Sequence, residues 1–96
     1  MSRFARRTDG NHREILDFVT RVGGVVRDVH AIPGMLDAFI GWRGGWIHIE
    51  IKDGTLPPSA RKLTAAERLT IDHERAHGLP VEVVESIADL KRVLGI

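Results

Sequence analysis

Absences narrow the classes of protein to which this 96-residue sequence can belong. It contains no cysteine, which excludes disulfide scaffolds and thiolate chemistry and favours a reducing compartment. No apolar run approaches the roughly 20 residues that a membrane helix needs. The basic amino end is not followed by the hydrophobic stretch of a secretory signal. We therefore expect a cytoplasmic protein with no membrane partner.

The sequence also lacks a strong excess of charge of either sign. The formal net charge is +1, which by itself does not indicate a nucleic-acid-binding protein. The first 48 residues nevertheless carry seven arginines against five acidic residues, so one face can be positive on a nearly neutral molecule. With 43% hydrophobic and 28% charged residues, we expect residues 1–96 to form a single globular domain, with residues 1–10 as a basic arm.

The spacing of apolar residues predicts a mixture of helices and strands. A helical stripe follows Asn11, a residue suited to the N-cap position. Thr64 and Glu67 form a capping box that opens a second helix, and Ser86 caps a last one. Residues 53–63 contain two adjacent prolines and are expected to form an irregular loop. Four segments have the composition of strands: residues 25–30, 35–40, 46–52 and 80–84.

Three charged residues interrupt the apolar pattern of two of these strands. Glu50 and Lys52 are two residues apart, so their side chains project from the same face of a strand, about 7 Å from each other. The glycine-rich residues 41–45 can fold the preceding strand back as a hairpin, which brings Asp37 alongside. One interpretation is a salt bridge on a solvated sheet face. The other is a divalent metal site, because Mg²⁺ prefers carboxylate and carbonyl oxygens and unpaired buried charges are strongly disfavoured.

The order of elements and four sequence segments together resemble a known group of nucleases. The segments are DGNHREI at 9–15, MLD at 35–37, EIKDG at 50–54 and LTAAE at 63–67. The chain resembles the PD-(D/E)XK nuclease superfamily over nearly its whole length, in particular the small phage and bacterial VRR-NUC (virus-type replication-repair) nucleases and related Holliday-junction resolvases. The resemblance implies an α/β fold with a restriction-endonuclease-like core: a mixed sheet in α-β-β-β-α-β order, flanked by helices and followed by a C-terminal helix.

The resemblance also implies a set of site residues. Asp37, Glu50 and the carbonyl of Ile51 would bind Mg²⁺, for which Mn²⁺ could substitute, and Lys52 would assist the attacking water. Glu14 matches an acidic residue that many members carry on the first helix, where it reaches the metal and takes part in catalysis. The alternative for Glu14 is an ordinary acid favoured near a helix N-terminus by the helix dipole.

The chain departs from the family's pattern at three positions. Leu36 stands where proline usually precedes the aspartate, with Pro33 three residues earlier. His12 and Glu67 stand where members often have glutamine. None of these changes touches the implied metal ligands, although an acid at Glu67 makes a DNA contact there doubtful.

The function expected from the resemblance is Mg²⁺-dependent endonucleolytic hydrolysis of DNA phosphodiester bonds, with selectivity for junctions or flaps as a further hypothesis. A non-catalytic DNA-binding module with the same fold is the alternative. We expect a homodimer, because so small a domain offers a limited DNA footprint and has strand and aromatic surface to cover. Four cations are candidate DNA phosphate contacts, with a solvated surface or a disordered terminus as the alternative: Arg61, Lys62, Arg6 and Arg7.

A second motif indicates a different chemistry. His73, Glu74 and His77 spell H-E-x-x-H, the zinc-hydrolase signature in which two histidines bind Zn²⁺ and the glutamate acts as base. Arg75 puts a charge inside the motif and Gly78 ends the helix at once, so the polar face of an amphipathic helix is the favoured interpretation. The zinc hydrolase stays as a lesser alternative. Two other histidines are expected near the sheet surface or the site, the first as a conditional ligand: His30 and His48.

Overall fold

The computed structural model describes residues 8–96. Arg6 and Arg7, predicted to contact DNA, lie outside these described residues. Among residues 8–96, no helix combines the length and the apolar character that crossing a membrane requires. The helices and strands are α1 His12–Arg21, β1 Val25–Asp28, β2 Ala38–Trp42, β3 Gly45–Ile51, α2 Ala65–Ala76, β4 Val81–Val84 and α3 Ile87–Leu94, with a short 3-10 helix at Pro58–Ala60.

The four strands form one mixed sheet in the order β1-β2-β3-β4. The first three strands are antiparallel neighbours, and β4 pairs in parallel with β3 after α2 has crossed over. This architecture confirms the predicted α/β fold with a mixed sheet flanked by helices and closed by a C-terminal helix. The parallel pairing follows from the crossover, since a helix between two strands returns the chain in the same direction.

The sheet is covered on both faces because side chains alternate along each strand. Ile49 and Ile51 project to one face, where they pack in a buried cluster with residues of α1 and α3. On the other face Ile71 of α2 packs in a separate cluster with Val81 and Leu36. The β3 side chains that alternate with these isoleucines therefore face α2. The charged side chains of the strand are among them.

The hairpin between β2 and β3 is tighter than the sequence predicted. Trp42 pairs with Gly45, so the loop is only Arg43 and Gly44, with φ angles of 48° and 83°. A two-residue turn with two positive φ angles suits the twist of the flanking strands. Trp42 is held in place because its Nε1 donates a hydrogen bond to the Leu94 carbonyl at 2.8 Å.

The strand β2 begins at Ala38, one residue after Asp37 and three residues later than predicted. Asp37 still lies in register with the sheet, since its N–H donates to the Ile49 carbonyl at 3.0 Å and its own carbonyl accepts from Val29 at 3.0 Å. The preceding residues instead form a turn that contains Pro33 and Gly34. Asp37 is therefore the residue at which the turn joins the strand.

Gly54 permits a close approach between two chain segments at the end of β3. Its N–H donates to the Glu85 carbonyl at 3.0 Å, and a Cβ at position 54 would lie 2.8 Å from that carbonyl oxygen. We expect Gly54→Ala to lower the unfolding free energy by roughly 1–3 kcal/mol, because the backbone must shift to relieve the overlap. Thermal unfolding with Gly45→Ala as control tests this, since a Cβ at Gly45 meets nothing within 4 Å. Equal melting temperatures for the two variants would contradict it.

Candidate active and metal-binding site

Three polar side chains, two in β3 and one directly after it, form a row that faces α2. His48, Glu50 and Lys52 alternate with the core isoleucines, and only 2%, 2% and 8% of their surfaces are exposed. Glu67 and Glu74 are seven residues apart on α2, so both lie on the side of the helix that faces this row. Glu67 interacts with Lys52 and Glu50, and Glu74 with His48.

Lys52 is held by two carboxylates. Its Nζ donates to Oε1 of Glu67 at 2.9 Å and lies 3.5 Å from Oε2 of Glu50. Burial alone would lower the pKa of Lys52, but the hydrogen bond and charge of Glu67, followed by those of Glu50, outweigh it and raise the pKa. The raised pKa favours the protonated form of Lys52 at neutral pH.

Glu67 has a second task at the start of α2. Its Oε1 also accepts a hydrogen bond from the Thr64 N–H at 2.8 Å, while the Thr64 hydroxyl accepts from the Glu67 N–H at 3.1 Å. This is the predicted capping box. Burial favours a raised pKa for Glu67, but the bonds from Thr64 and the interactions with Glu50 and Lys52 lower it. The ionised cap thus fixes the ammonium group of Lys52.

Asp37 lies opposite Glu50 at the end of the β2–β3 ladder, since the neighbouring pair is Ala38 with Ile49. Only 4% of its surface is exposed. Its Oδ2 accepts a hydrogen bond from the Ile51 N–H at 2.8 Å, which fixes the carboxylate beside β3. The structure thus brings Asp37, Glu50 and Lys52 together at one end of the sheet, as the sequence predicted.

Glu50 is the most perturbed acid of this cluster. Burial, then the charge of Asp37, then the hydrogen bond and charge of Glu67 raise its pKa from 4.5 to about 9, against the opposing effect of Lys52. In the absence of a metal, Glu50 is therefore protonated at neutral pH. A divalent cation between Asp37 and Glu50 would remove this repulsion, so the donor set fits a hard, oxygen-preferring ion.

The N-terminus of α1 docks against the same end of the sheet. Asn11 occupies the N-cap position but makes no capping bond. Its Nδ2 instead donates to the carbonyls of Lys52 and Glu85, at 3.1 and 3.2 Å. His12 follows, with 8% of its surface exposed, and its Nδ1 lies 3.8 Å from Oδ1 of Asp37.

Glu14, predicted as a metal ligand and catalytic residue, is not brought into this cluster. Its side chain is exposed. Two residues correspond to about 200° around a helix, so the buried side chain of His12 and that of Glu14 project in nearly opposite directions. His12 is the α1 residue that reaches Asp37.

The predicted phosphate contacts differ in their availability. Arg61 is occupied, because its Nε donates to the Leu56 carbonyl at 2.8 Å and its Nη1 to Glu85 at 2.9 Å. These bonds brace the loop after β3. Lys62 is exposed, and in the part of the chain that the structure describes it is the more accessible of this pair.

The H-E-x-x-H motif serves the fold. Glu74 accepts a hydrogen bond from Nδ1 of the buried His48 at 2.8 Å, while Nε2 of His48 accepts from the Leu36 N–H at 3.1 Å. His73 and His77 are exposed, and Nδ1 of His77 bonds to the His73 carbonyl. His73 and His77 thus lie on an exposed face, as the amphipathic-helix interpretation predicted, whereas the carboxylate of Glu74 is engaged with the sheet.

Two residues at the site were missed by the sequence reasoning. Glu67 was recognised as a helix cap, and its position matches a frequent glutamine of the resembling family, but its bond to Lys52 was not foreseen. His12 was expected only near the start of the first helix. In both cases the available signal was the match to the family's polar positions.

Comparisons with known proteins support the fold. Comparison with protein-family models gives no match, and comparison with curated proteins gives none either. A solved structure described as a VRR_NUC domain is similar to this chain, with a TM-score of 0.70 and 21% sequence identity, covering 93% of this chain and 97% of that one. At this identity the likeness establishes the fold. It confirms, at the level of the fold, the predicted resemblance to VRR-NUC domains.

Proposed function

We propose that this chain is a single-domain, metal-dependent endonuclease that hydrolyses DNA phosphodiester bonds. One observation carries the proposal: Asp37, Glu50 and Lys52 are buried together at one end of the sheet in a nuclease fold. Burial, and then the charge of Asp37, raise the pKa of Glu50 to about 9, and an acid pair of this kind destabilises a metal-free protein. Such clusters are typical of functional sites.

Asp37, Glu50 and the carbonyl of Ile51 would hold Mg²⁺, and Mn²⁺ would substitute for it. When bound, the ion would polarise a phosphate oxygen and favour the nucleophilic form of water. The chain contributes the orientation of these ligands. The Ile51 N–H fixes the Asp37 carboxylate at 2.8 Å, and pairing of β3 with β2 and β4 fixes the backbone at Glu50 and Ile51.

Lys52 would stabilise the negative charge that develops on the phosphate as water adds and the bond to the leaving sugar oxygen breaks. Its raised pKa supports this role over that of a base, since the group keeps its proton at neutral pH. Glu67 would act as a positioning residue, because its bond to Nζ at 2.9 Å limits the rotamers of the lysine.

Binding to DNA would use cations near this end of the molecule. Lys62 is exposed in the loop that follows β3 and would contact phosphates without reading bases. Arg6 and Arg7 would add a basic arm, and Arg61 would contribute if its bond to Glu85 opens. Action on DNA is consistent with a location in the cytoplasm of a bacterial or phage-infected cell.

A homodimer is the assembly that we propose. Trp46 is 50% exposed and Leu79 is 53% exposed, and both line a shallow groove with Phe39 and Pro80. Aromatic side chains such as that of Trp46 are enriched at protein interfaces, whose buried centres are more apolar than the rest of the surface. Light scattering of wild type and Trp46→Ser tests the assembly, and a monomeric mass for the wild type at micromolar concentration, with and without DNA, would refute it.

Cleavage of labelled duplex, flap and four-way-junction DNA tests the function. Wild type, Asp37→Ala and Lys52→Ala are compared in Mg²⁺, Mn²⁺ and EDTA, with the fold of each variant checked by circular dichroism. We expect cutting by wild type in either metal, none in EDTA and none by the variants. Binding without cutting on every substrate would instead identify a non-catalytic DNA-binding module.

A further inference from the structure

Three side chains from α1, β1 and the turn after β1 converge on one point. Nε2 of His12 lies 3.1 Å from Oδ2 of Asp28, and Nδ1 of His30 lies 2.5 Å from Oδ1 of the same carboxylate. One nitrogen or oxygen atom from each residue lies within 4.8 Å of the others. Among residues 8–96, this is the only group of three or more histidine and acidic residues whose ligand atoms lie so close together.

The chemistry of this cluster differs from that of the Asp37 and Glu50 pair. Two imidazoles and one carboxylate are the ligand types of Zn²⁺ sites with three protein ligands and one open position. Zinc bonds of about 2.0–2.2 Å hold tetrahedral ligand atoms roughly 3.4 Å apart, so small side-chain rotations suffice. Asp28 is partly exposed, with 40% of its side chain accessible, which leaves a route for an ion and a position for water.

The second ring nitrogen of His12 provides an independent observation. His12 is buried, and among the described residues its Nδ1 has no hydrogen-bond partner. If a neutral His12 donates Nε2–H to Asp28, its Nδ1 lone pair faces the carboxylate of Asp37 at 3.8 Å, which is unfavourable. If Nε2 instead binds a metal, the proton moves to Nδ1 and points towards Asp37. A histidine that binds zinc through one nitrogen and directs the other towards a carboxylate is a recurrent arrangement.

Asp28 is charged under the conditions in which such a site would form. Burial alone would raise its pKa, but the hydrogen bonds of His30 and then of His12 outweigh it and lower the pKa to about 2. The two rings also approach each other edge to face, with centroids 5.3 Å apart. The ligand atoms are therefore already assembled, which reduces the cost of ordering them.

We propose that His12, Asp28 and His30 form a Zn²⁺-binding site, separate from the Mg²⁺ site proposed at Asp37 and Glu50. The site takes a borderline-soft divalent ion, because imidazole nitrogens supply two of its three ligands. His12 belongs to the zinc site through Nε2 and borders Asp37 through Nδ1. The proposal does not depend on the nuclease activity, since the three ligands would bind zinc whether or not the protein cleaves DNA.

Titration of Zn²⁺ into the full-length protein by calorimetry, with Mg²⁺ in excess, tests this proposal. Co²⁺ serves as the spectroscopic probe of tetrahedral coordination. The variants are His30→Ala and Asp28→Asn, with His77→Ala as control because the exposed His73 and His77 rings lie 4.9 Å apart and could bind zinc by themselves. Glu50→Gln controls for zinc at the other site, because it removes a proposed Mg²⁺ ligand there and leaves Asp37, towards which His12 points, unchanged. Melting temperatures verify that each variant folds.

We expect one Zn²⁺ per chain in wild type, His77→Ala and Glu50→Gln. His30→Ala and Asp28→Asn each lose a direct ligand and should bind zinc about a hundredfold more weakly or worse. Removing a residue that only supports a ligand typically weakens metal binding by about 10–100-fold, and losing the ligand itself should cost at least as much. Absence of zinc binding by the wild type, or unchanged binding by His30→Ala, would show that the cluster is only a hydrogen-bonded triad. Loss of binding in His77→Ala or Glu50→Gln would assign the ion elsewhere and overturn the proposal.

Discussion

Asp37→Asn is expected to abolish metal-dependent DNA cleavage while leaving the protein folded. Asp37 accepts a hydrogen bond from the Ile51 N–H at 2.8 Å, and the side-chain oxygen of asparagine can accept the same bond. Asparagine lacks the negative charge that would bind the metal. Loss of a metal ligand forfeits several kcal/mol of transition-state stabilisation, and about 4 kcal/mol corresponds to roughly a thousandfold in rate. Single-turnover cleavage in Mg²⁺ measures this loss.

Two further variants separate chemistry from stability in that experiment. Asp37→Ala leaves the buried Ile51 N–H without its acceptor and should cost about 1–3 kcal/mol of unfolding free energy as well. Asp72→Asn, an exposed charge change on α2, should cleave at the wild-type rate. A cleavage rate for Asp37→Asn within tenfold of wild type would exclude Asp37 as a metal ligand.

Glu50→Gln is expected to stabilise the metal-free protein at neutral and alkaline pH. The pKa of Glu50 is raised to about 9 in the folded protein, mainly by burial and by the charge of Asp37, whereas an unfolded glutamate titrates near 4.5. Between these values the folded state binds more protons than the unfolded state, so stability falls as pH rises. Glutamine has no proton to lose, and the variant should lack this decline.

Thermal unfolding in EDTA from pH 5 to pH 9 measures the difference. A gain of about 1 kcal/mol corresponds to roughly 4–8 °C for a domain of this size, and we expect at least that at pH 8, shrinking towards pH 5. Glu14→Gln, an exposed acid on α1, should follow the wild-type curve. Parallel curves for wild type and Glu50→Gln would refute a perturbed Glu50.

Addition of Mg²⁺ should reverse the order of the two proteins. A divalent ion binds the ionised form of Glu50 and stabilises the wild type by mass action, and the variant has lost that ligand. The acid cluster therefore lowers the stability of the metal-free fold, a compromise that is common where function requires charges to be buried together.

The relative positions of residues that belong to local sequence patterns were predictable from the sequence. Alternation along one strand placed Glu50 and Lys52 on the same face, the glycine-rich hairpin brought Asp37 beside them, and Thr64 with Glu67 marked the start of α2. These predictions depend on the period of a strand and on hydrogen bonds within four residues. Such features depend little on the rest of the chain, so the sequence contains them directly.

Contacts between elements were decided only by the tertiary structure. Lys52 and Glu67 are 15 residues apart, and their bond exists because α2 packs over the polar row of β3. The rotation of α1 about its axis likewise directs His12, and not Glu14, towards Asp37. The hydrogen bond from His48 to Glu74, 26 residues away in the sequence, likewise engages the glutamate of the zinc-hydrolase motif. Packing of whole faces sets these pairings, and a one-dimensional pattern does not specify how two faces are turned towards each other.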